Sequence, residues 1–174
     1  MNEKRTSTGF TLVELMIGIM LFGILAAFAI SFTRDFVPKQ RLIAKSNELA
    51  GFFRFVRGEA ALRGGALVCS AGTNCSGFDG GDLIAFIDTN NNKRRDAQEP
   101  VITRVSSPSG LNIYRNGWGK QSYLEYDQTG RLHYQNGHFL ICHSGYGIKL
   151  IMNWRGRVRR GGGPAPEEEC SKPG

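Results

Sequence analysis

The stretch Gly9–Met16, GFTLVELM, runs without a break into apolar sequence that continues to Phe32, and almost everything before it is polar or charged. A secretory signal peptide carries its apolar core ahead of the cleavage point, so cleavage removes that core. Here the small residue that invites cleavage, Gly9, precedes the core, and the core would be kept. From Phe10 to Thr33 the only charged residue is Glu14, and about 20 apolar residues suffice to cross a bilayer as a helix. A lone carboxylate near the bilayer centre costs roughly 2.5–3.5 kcal/mol on insertion scales. Glu14 would lie close to the new N-terminus and can stay near the interface until a cationic partner arrives. Charge does not fix the orientation: Lys4 and Arg5 precede the run, while Arg34, Lys39 and Arg41 follow it.

This inverted signal, with one acid inside the run, resembles the class III signal of type IV pilins and pseudopilins. The resemblance implies cleavage between Gly9 and Phe10 by a prepilin peptidase, N-methylation of Phe10, and assembly of the N-terminal helix into a filament core. It also implies that Glu14 meets the new amine of Phe10 on a neighbouring pilin subunit. The leader would lie in the cytoplasm and the head in the periplasm. Such a protein is a single-pass resident of the bacterial inner membrane, and of the pilus after assembly.

At 174 residues the chain supplies an anchor and one globular domain, without room for a second core of ordinary size. The formal net charge is +7; the leader holds Lys4 and Arg5 against Glu3, so the mature chain stays basic and points to acidic partners. All four cysteines, Cys69, Cys75, Cys142 and Cys170, lie beyond the apolar run. In an exported domain an even number reads as disulfides, with three possible connectivities. Proximity along the chain favours Cys69–Cys75 and Cys142–Cys170. No C-x-x-C pair supports a metal site.

Past the span, Pro38 can kink a helix without ending it. Leu42, Leu49, Phe53, Val56 and Ala60 then recur at helical spacing, with Phe52 and Phe55 flanking. The helix is expected to stop near Arg63, at the double breaker Gly64-Gly65. Beyond it, short apolar runs alternate with Gly, Asn and Pro clusters: Leu67–Cys69, Leu83–Ile87, Val101–Val105, Leu111–Tyr114, Tyr123–Tyr126, Phe139–Cys142 and Ile148–Trp154. That spacing predicts a small antiparallel sandwich, and the fold class is α+β. The expected organisation is a leader (1–9), a transmembrane and filament-core helix (10–33), its amphipathic continuation (34–63), and a β-rich head with a basic tail (64–174).

Several letter patterns reduce to ordinary structure. Asp88, Asn90, Asn92, Asp96 and Glu99 stand at the ligand spacing of a calcium loop. Lys93 occupies the glycine position, however, and Arg94 and Arg95 add positive charge where a cation would sit; Asx turns closing a hairpin explain the same letters. His133, His138 and His143 share no spacing that forces a zinc site. His143-Ser144-Gly145-Tyr146-Gly147 lacks the leading glycine of a nucleophile elbow. No catalytic constellation and no cofactor motif emerges, so an enzyme is not expected.

The remaining cluster is Trp154–Arg160, WRGRVRR, which packs Arg155, Arg157, Arg159 and Arg160 together with no acid among them. In an extended segment Arg157 and Arg159 fall on one face. Gly156 would let the backbone approach a phosphate, and arginine offers it a bidentate fork. Trp154 adds a surface for stacking. The competing reading is a solvated basic strand end that pairs with Glu167–Glu169 or faces anionic lipid. A Cys142–Cys170 bridge would close a loop around the whole cluster.

Two segments narrow the resemblance. Ile84–Ile102, IAFIDTNNNKRRDAQEPVI, resembles the strand–loop–strand signature of the FimT/GspH family, and Gly156-Arg157-Val158-Arg159 is similar to the G-R-x-R motif of FimT-type minor pilins. What that implies is a minor pilin that binds DNA at the start of uptake in natural transformation, through Arg155, Gly156, Arg157, Arg159 and Arg160. The alternative is a purely structural subunit: a GspH-like pseudopilin of type II secretion, or a pilus-priming subunit.

Overall fold

The computed structural model describes residues 9–71, 75, 77–78, 82–107, 111–117, 121–162 and 169–170, with the side chains of 29–35 left undescribed. The expected leader therefore lies outside the described residues, apart from Gly9. One helix, α1 (Leu12–Arg63), contains Pro38, and the chain divides into two compact units, Met1–Val37 and Pro38–Gly174.

In the first unit, Thr11 starts the helix: the backbone N–H of Glu14 donates to its Oγ1 at 3.3 Å, the N-terminal cap that a Thr-x-x-Glu sequence favours. Glu14 thus stands in the first turn, where the helix dipole favours an acid. Nearly every large apolar side chain from Phe10 to Phe28 is exposed, a surface that an isolated subunit in water would not sustain. Among the described residues no helix is long and apolar enough to cross a membrane. The described side chains of the expected span end at Phe28, short of its limit at Thr33.

In the second unit α1 buries one stripe, with Leu42, Leu49, Phe53, Val56 and Ala60 all inside, as their spacing requires. Phe52 is buried as well, while Phe55 is exposed. The helix stops at Arg63 because Gly64 and Gly65 turn the chain with φ of +89° and +137°, which side chains with a Cβ rarely adopt.

Among the described residues eight strands follow: β1 (Gly65–Ser70), β2 (Leu83–Phe86), β3 (Val101–Val105), β4 (Asn112–Gly117), β5 (Leu124–Asp127), β6 (Gly137–His143), β7 (Tyr146–Met152) and β8 (Val158–Arg160). They form two four-stranded sheets, ordered β3-β2-β1-β5 and β4-β6-β7-β8, with every pairing antiparallel. The inner faces of both sheets and the buried stripe of α1 share one core, in which Phe53 and Phe139 stack with ring centroids 4.8 Å apart. Seven strands follow the expected apolar runs within a few residues; β8 is the addition.

Each sheet has a second, smaller apolar face, and a disulfide seals each one. Cys69–Cys75 covers Leu67, Ile84 and Phe86. Cys142–Cys170 lies with Leu140 and Tyr114. The second bridge holds Cys170 against the β6–β7 ribbon, where Lys149 also pairs with Glu169 at 2.7 Å. His138 feels both charges: burial lowers its pKa, Lys149 lowers it further, and Glu169 works the other way.

A pH effect follows. The unfolded chain takes up a proton at His138 near pH 6.5, before the folded head does, so the unfolded state binds more protons in that window. Stability is full above pH 6.5 and falls as the pH drops toward the folded pKa. Thermal melts between pH 7.5 and 6 should show that fall, and His138→Asn should flatten it.

Candidate nucleic-acid interface

Two tight turns lie against each other in the head. The first, Asp127–Arg131, follows β5: Gly130 donates to the Asp127 carbonyl at 2.8 Å and Asp127 to that of Arg131 at 2.9 Å. The Asp127 carboxylate accepts from the backbone of Thr129 and Arg131 and from the Thr129 hydroxyl. Desolvation pushes that carboxyl up, but these hydrogen bonds and nearby His133 outweigh it and hold it below its usual range.

The second turn, Asn153–Arg157, links β7 to β8. Asn153 donates to the Arg157 carbonyl at 3.1 Å, its own carbonyl accepts from Gly156 at 2.9 Å, and its side-chain oxygen accepts from Arg157 at 3.0 Å. This is the Asx geometry that suits asparagine to turns.

Two contacts join the turns, and one from α1 braces them. Leu132 donates to the Trp154 carbonyl at 2.9 Å. Arg57 of α1 donates through Nε to the Gly130 carbonyl at 3.0 Å. Gly156, with φ of +71°, packs its Cα against the first turn so closely that an added Cβ would overlap the Gly130 carbonyl oxygen and crowd Tyr126 and Arg57. Tyr126 is itself buried beneath, and burial pushes its hydroxyl pKa well up.

The close approach expected between Gly156 and a phosphate is therefore made by the protein's own backbone. Gly156 is buried, and its part is to lock the turn that carries the arginines.

Strand alternation sorts the arginines. Val158 pairs with Met152 in the core, and Arg160 pairs with buried Leu150, so Arg160 takes the inner side of the sheet edge. There it lines a groove with Lys39, Leu42, Ile43, Tyr146 and Ile148. Arg159 pairs with Ile151 on the outer side, shared by Arg157 two residues away. The structure thus brings Arg157 and Arg159 together, as their spacing predicts, adds Arg155 at the turn, and separates Arg160 from them.

Arg155, Arg157, Arg159 and Arg160 are exposed. Among the described residues none of them lies within ion-pair distance of a carboxylate; the acids that do form ion pairs, Glu48, Glu59, Glu125, Asp127 and Glu169, take other cations. Glu169, a candidate partner for the basic tail, goes to Lys149 instead, and Glu167 and Glu168 lie outside the described residues.

Trp154 is half exposed. The guanidinium of Arg155 stands 5.0 Å from its ring centroid and that of Arg131 5.6 Å. Arg131 was not among the residues expected from the sequence. It is far from the cluster along the chain, and only the packing of the two turns unites them.

The calcium-like letters form a hairpin loop whose oxygens turn to donors of the protein. Asp88 accepts from the backbone of Asn92 and Lys93, and Asp96 from the side-chain amides of Asn90 and Asn92. Buried Glu99 accepts from the backbone of Thr89 and Asp96. Lys93 reaches away to Glu125 at 2.6 Å. Among the described residues, no group of three or more His, Cys, Asp or Glu is placed to hold a metal ion.

Residues 45–156 match the family described as type II transport protein GspH, and residues 4–30 match the prokaryotic N-terminal methylation motif. Two crystal structures of the type IV minor pilin FimU of Pseudomonas aeruginosa (strain PAO1) share the fold. The form in space group P21 aligns with a TM-score of 0.55 at 18% identity, covering 79% of this chain and 94% of that one. The form in P65 gives 0.53 at 18%, covering 73% and 94%.

Proposed function

Because the chain belongs to the GspH family of minor type IV pilins and pseudopilins, whose members are structural subunits and not enzymes, we propose that it is a minor pilin whose head binds DNA and promotes uptake by the pilus. The observation that carries this reading is the group Arg155, Arg157 and Arg159. These arginines are exposed on a locked turn and an adjoining strand, without a carboxylate partner among the described residues. Guanidinium groups held in this way meet phosphate oxygens bidentately. Exposed guanidinium groups without a reading helix or strand placed for a groove favour phosphate contacts, so binding is expected to be sequence-blind and driven by counterion release.

The test is a titration of the full chain, in neutral detergent, with duplex DNA at several salt concentrations. Three phosphate contacts imply a slope of log affinity against log salt of about −2.7. Micromolar affinity that is independent of sequence is the expected result. Absence of binding at low salt would favour the second reading, a structural pseudopilin of type II secretion, which the GspH match also supports.

The N-terminal motif anchors the subunit in the inner membrane before assembly with other pilin subunits. We further propose that prepilin peptidase cuts after Gly9 and that Glu14 serves assembly. Mass spectrometry of the membrane-extracted protein should show the chain starting at Phe10 with one added methyl group. An intact leader in a strain with active peptidase would defeat this assignment.

A further inference from the structure

Resting on the DNA-binding reading, we infer that Arg131 is a fourth phosphate-contacting residue, and that Trp154 positions Arg131 and Arg155 rather than stacking on a base. Sequence gives Trp154 the look of a stacking platform, since half-exposed aromatics beside arginines serve unpaired bases in single-strand binders. The geometry assigns the ring to the protein's own cations. Guanidinium groups from two different turns stand within 6 Å of it, the range of a cation–π contact. A base stacking there would compete with two guanidinium groups for the ring.

The backbone around this clasp is fixed independently of the ring. Arg131 follows Gly130, whose carbonyl Arg57 holds, and its own amide and carbonyl are both bonded to Asp127. Trp154 is held by its carbonyl to Leu132. With both main chains pinned, the ring limits where the two long side chains can point. That restriction lowers the entropy lost when they order on a phosphate. The partner feature recognised is therefore the phosphodiester backbone, by four arginines: Arg131, Arg155, Arg157 and Arg159.

Adding Arg131 raises the expected salt slope from about −2.7 to about −3.6. Arg131→Gln should cut duplex affinity about five-fold at 0.15 M salt and lower the slope by about 0.9. Trp154→Phe, which keeps a ring for the cations, should stay within about two-fold of the parent, whereas Trp154→Leu should lose about three- to ten-fold. In the Trp154→Leu background, Arg131→Gln should cost less than it does alone, because the two act through one contact.

The decisive comparison uses a single strand and an abasic strand of equal length. Equal affinity within about two-fold supports the clasp. A preference for the base-bearing strand of about five-fold or more is the mark of stacking and would overturn it. An unchanged slope in folded Arg131→Gln would remove Arg131 from the site while leaving the DNA-binding reading intact. If the parent binds no DNA at all, that underlying reading fails instead. Circular dichroism melts of every variant separate lost contacts from lost fold.

Discussion

Gly156→Ala is expected to destabilise the head by about 2–5 kcal/mol, which lowers its melting temperature by roughly 6–20 °C. Two costs add. An L-residue held in left-handed backbone costs roughly 1–2 kcal/mol, and Gly156 has φ of +71°. The added methyl would also overlap the Gly130 carbonyl oxygen, with Tyr126 and Arg57 closing the other sides; overpacking of this kind typically costs about 1–3 kcal/mol. The obstacle is backbone and a buried ring, so little can give way. A variant that melts like the parent would show that the turns are not locked together. The same change should weaken DNA binding although it removes no charge, because the arginines are carried on that turn.

Arg157→Gln combined with Arg159→Gln is expected to weaken duplex binding about 30-fold at 0.15 M salt, with the slope falling from about −3.6 to about −1.8. These residues share the outer side of β8 and the turn before it, so both can reach the same strand of phosphates. Neither is buried, so the double variant should fold as the parent does. Arg160→Gln should matter least, because Arg160 shares the inner side of the sheet edge with buried Leu150 and lines the groove beside Lys39. Titrations at three salt concentrations check all three statements. Parent-like affinity in the folded double variant would favour the structural-subunit reading.

Most of the scaffold was legible because it depends on local pattern. Helical spacing gave the buried stripe Leu42 to Ala60, and Gly64-Gly65 marked the stop. Short apolar runs between turn residues gave seven strands, and strand alternation gave the shared face of Arg157 and Arg159. β8 was harder, since it is three residues long with a single apolar member, Val158. What sequence reading missed depends on contacts between distant segments. Arg131 joins the cluster only through the packing of the two turns, which the Leu132–Trp154 hydrogen bond and the close approach of Gly156 to Gly130 hold together. Gly156 looked like an opening for a ligand because nothing local announces that Gly130 already fills the space. Arg160 was grouped with its neighbours because they are close in the chain, although strand alternation turns it to the other side.

The position of β8 at the margin of its sheet has a consequence for crowding. A margin strand presents unpaired N–H and C=O groups to any extended segment that comes near. Subunits gathered along one fibre would bring such margins together at high local concentration. β8 is short, and arginines precede it and fill two of its three positions, so two copies repel where they would otherwise join. The charge proposed to draw a polyanion would also keep neighbouring heads from knitting into a continuous sheet. Neutral variants at these positions should consequently be measured dilute and checked for self-association, because a loss of DNA binding and a gain of self-pairing would arrive together.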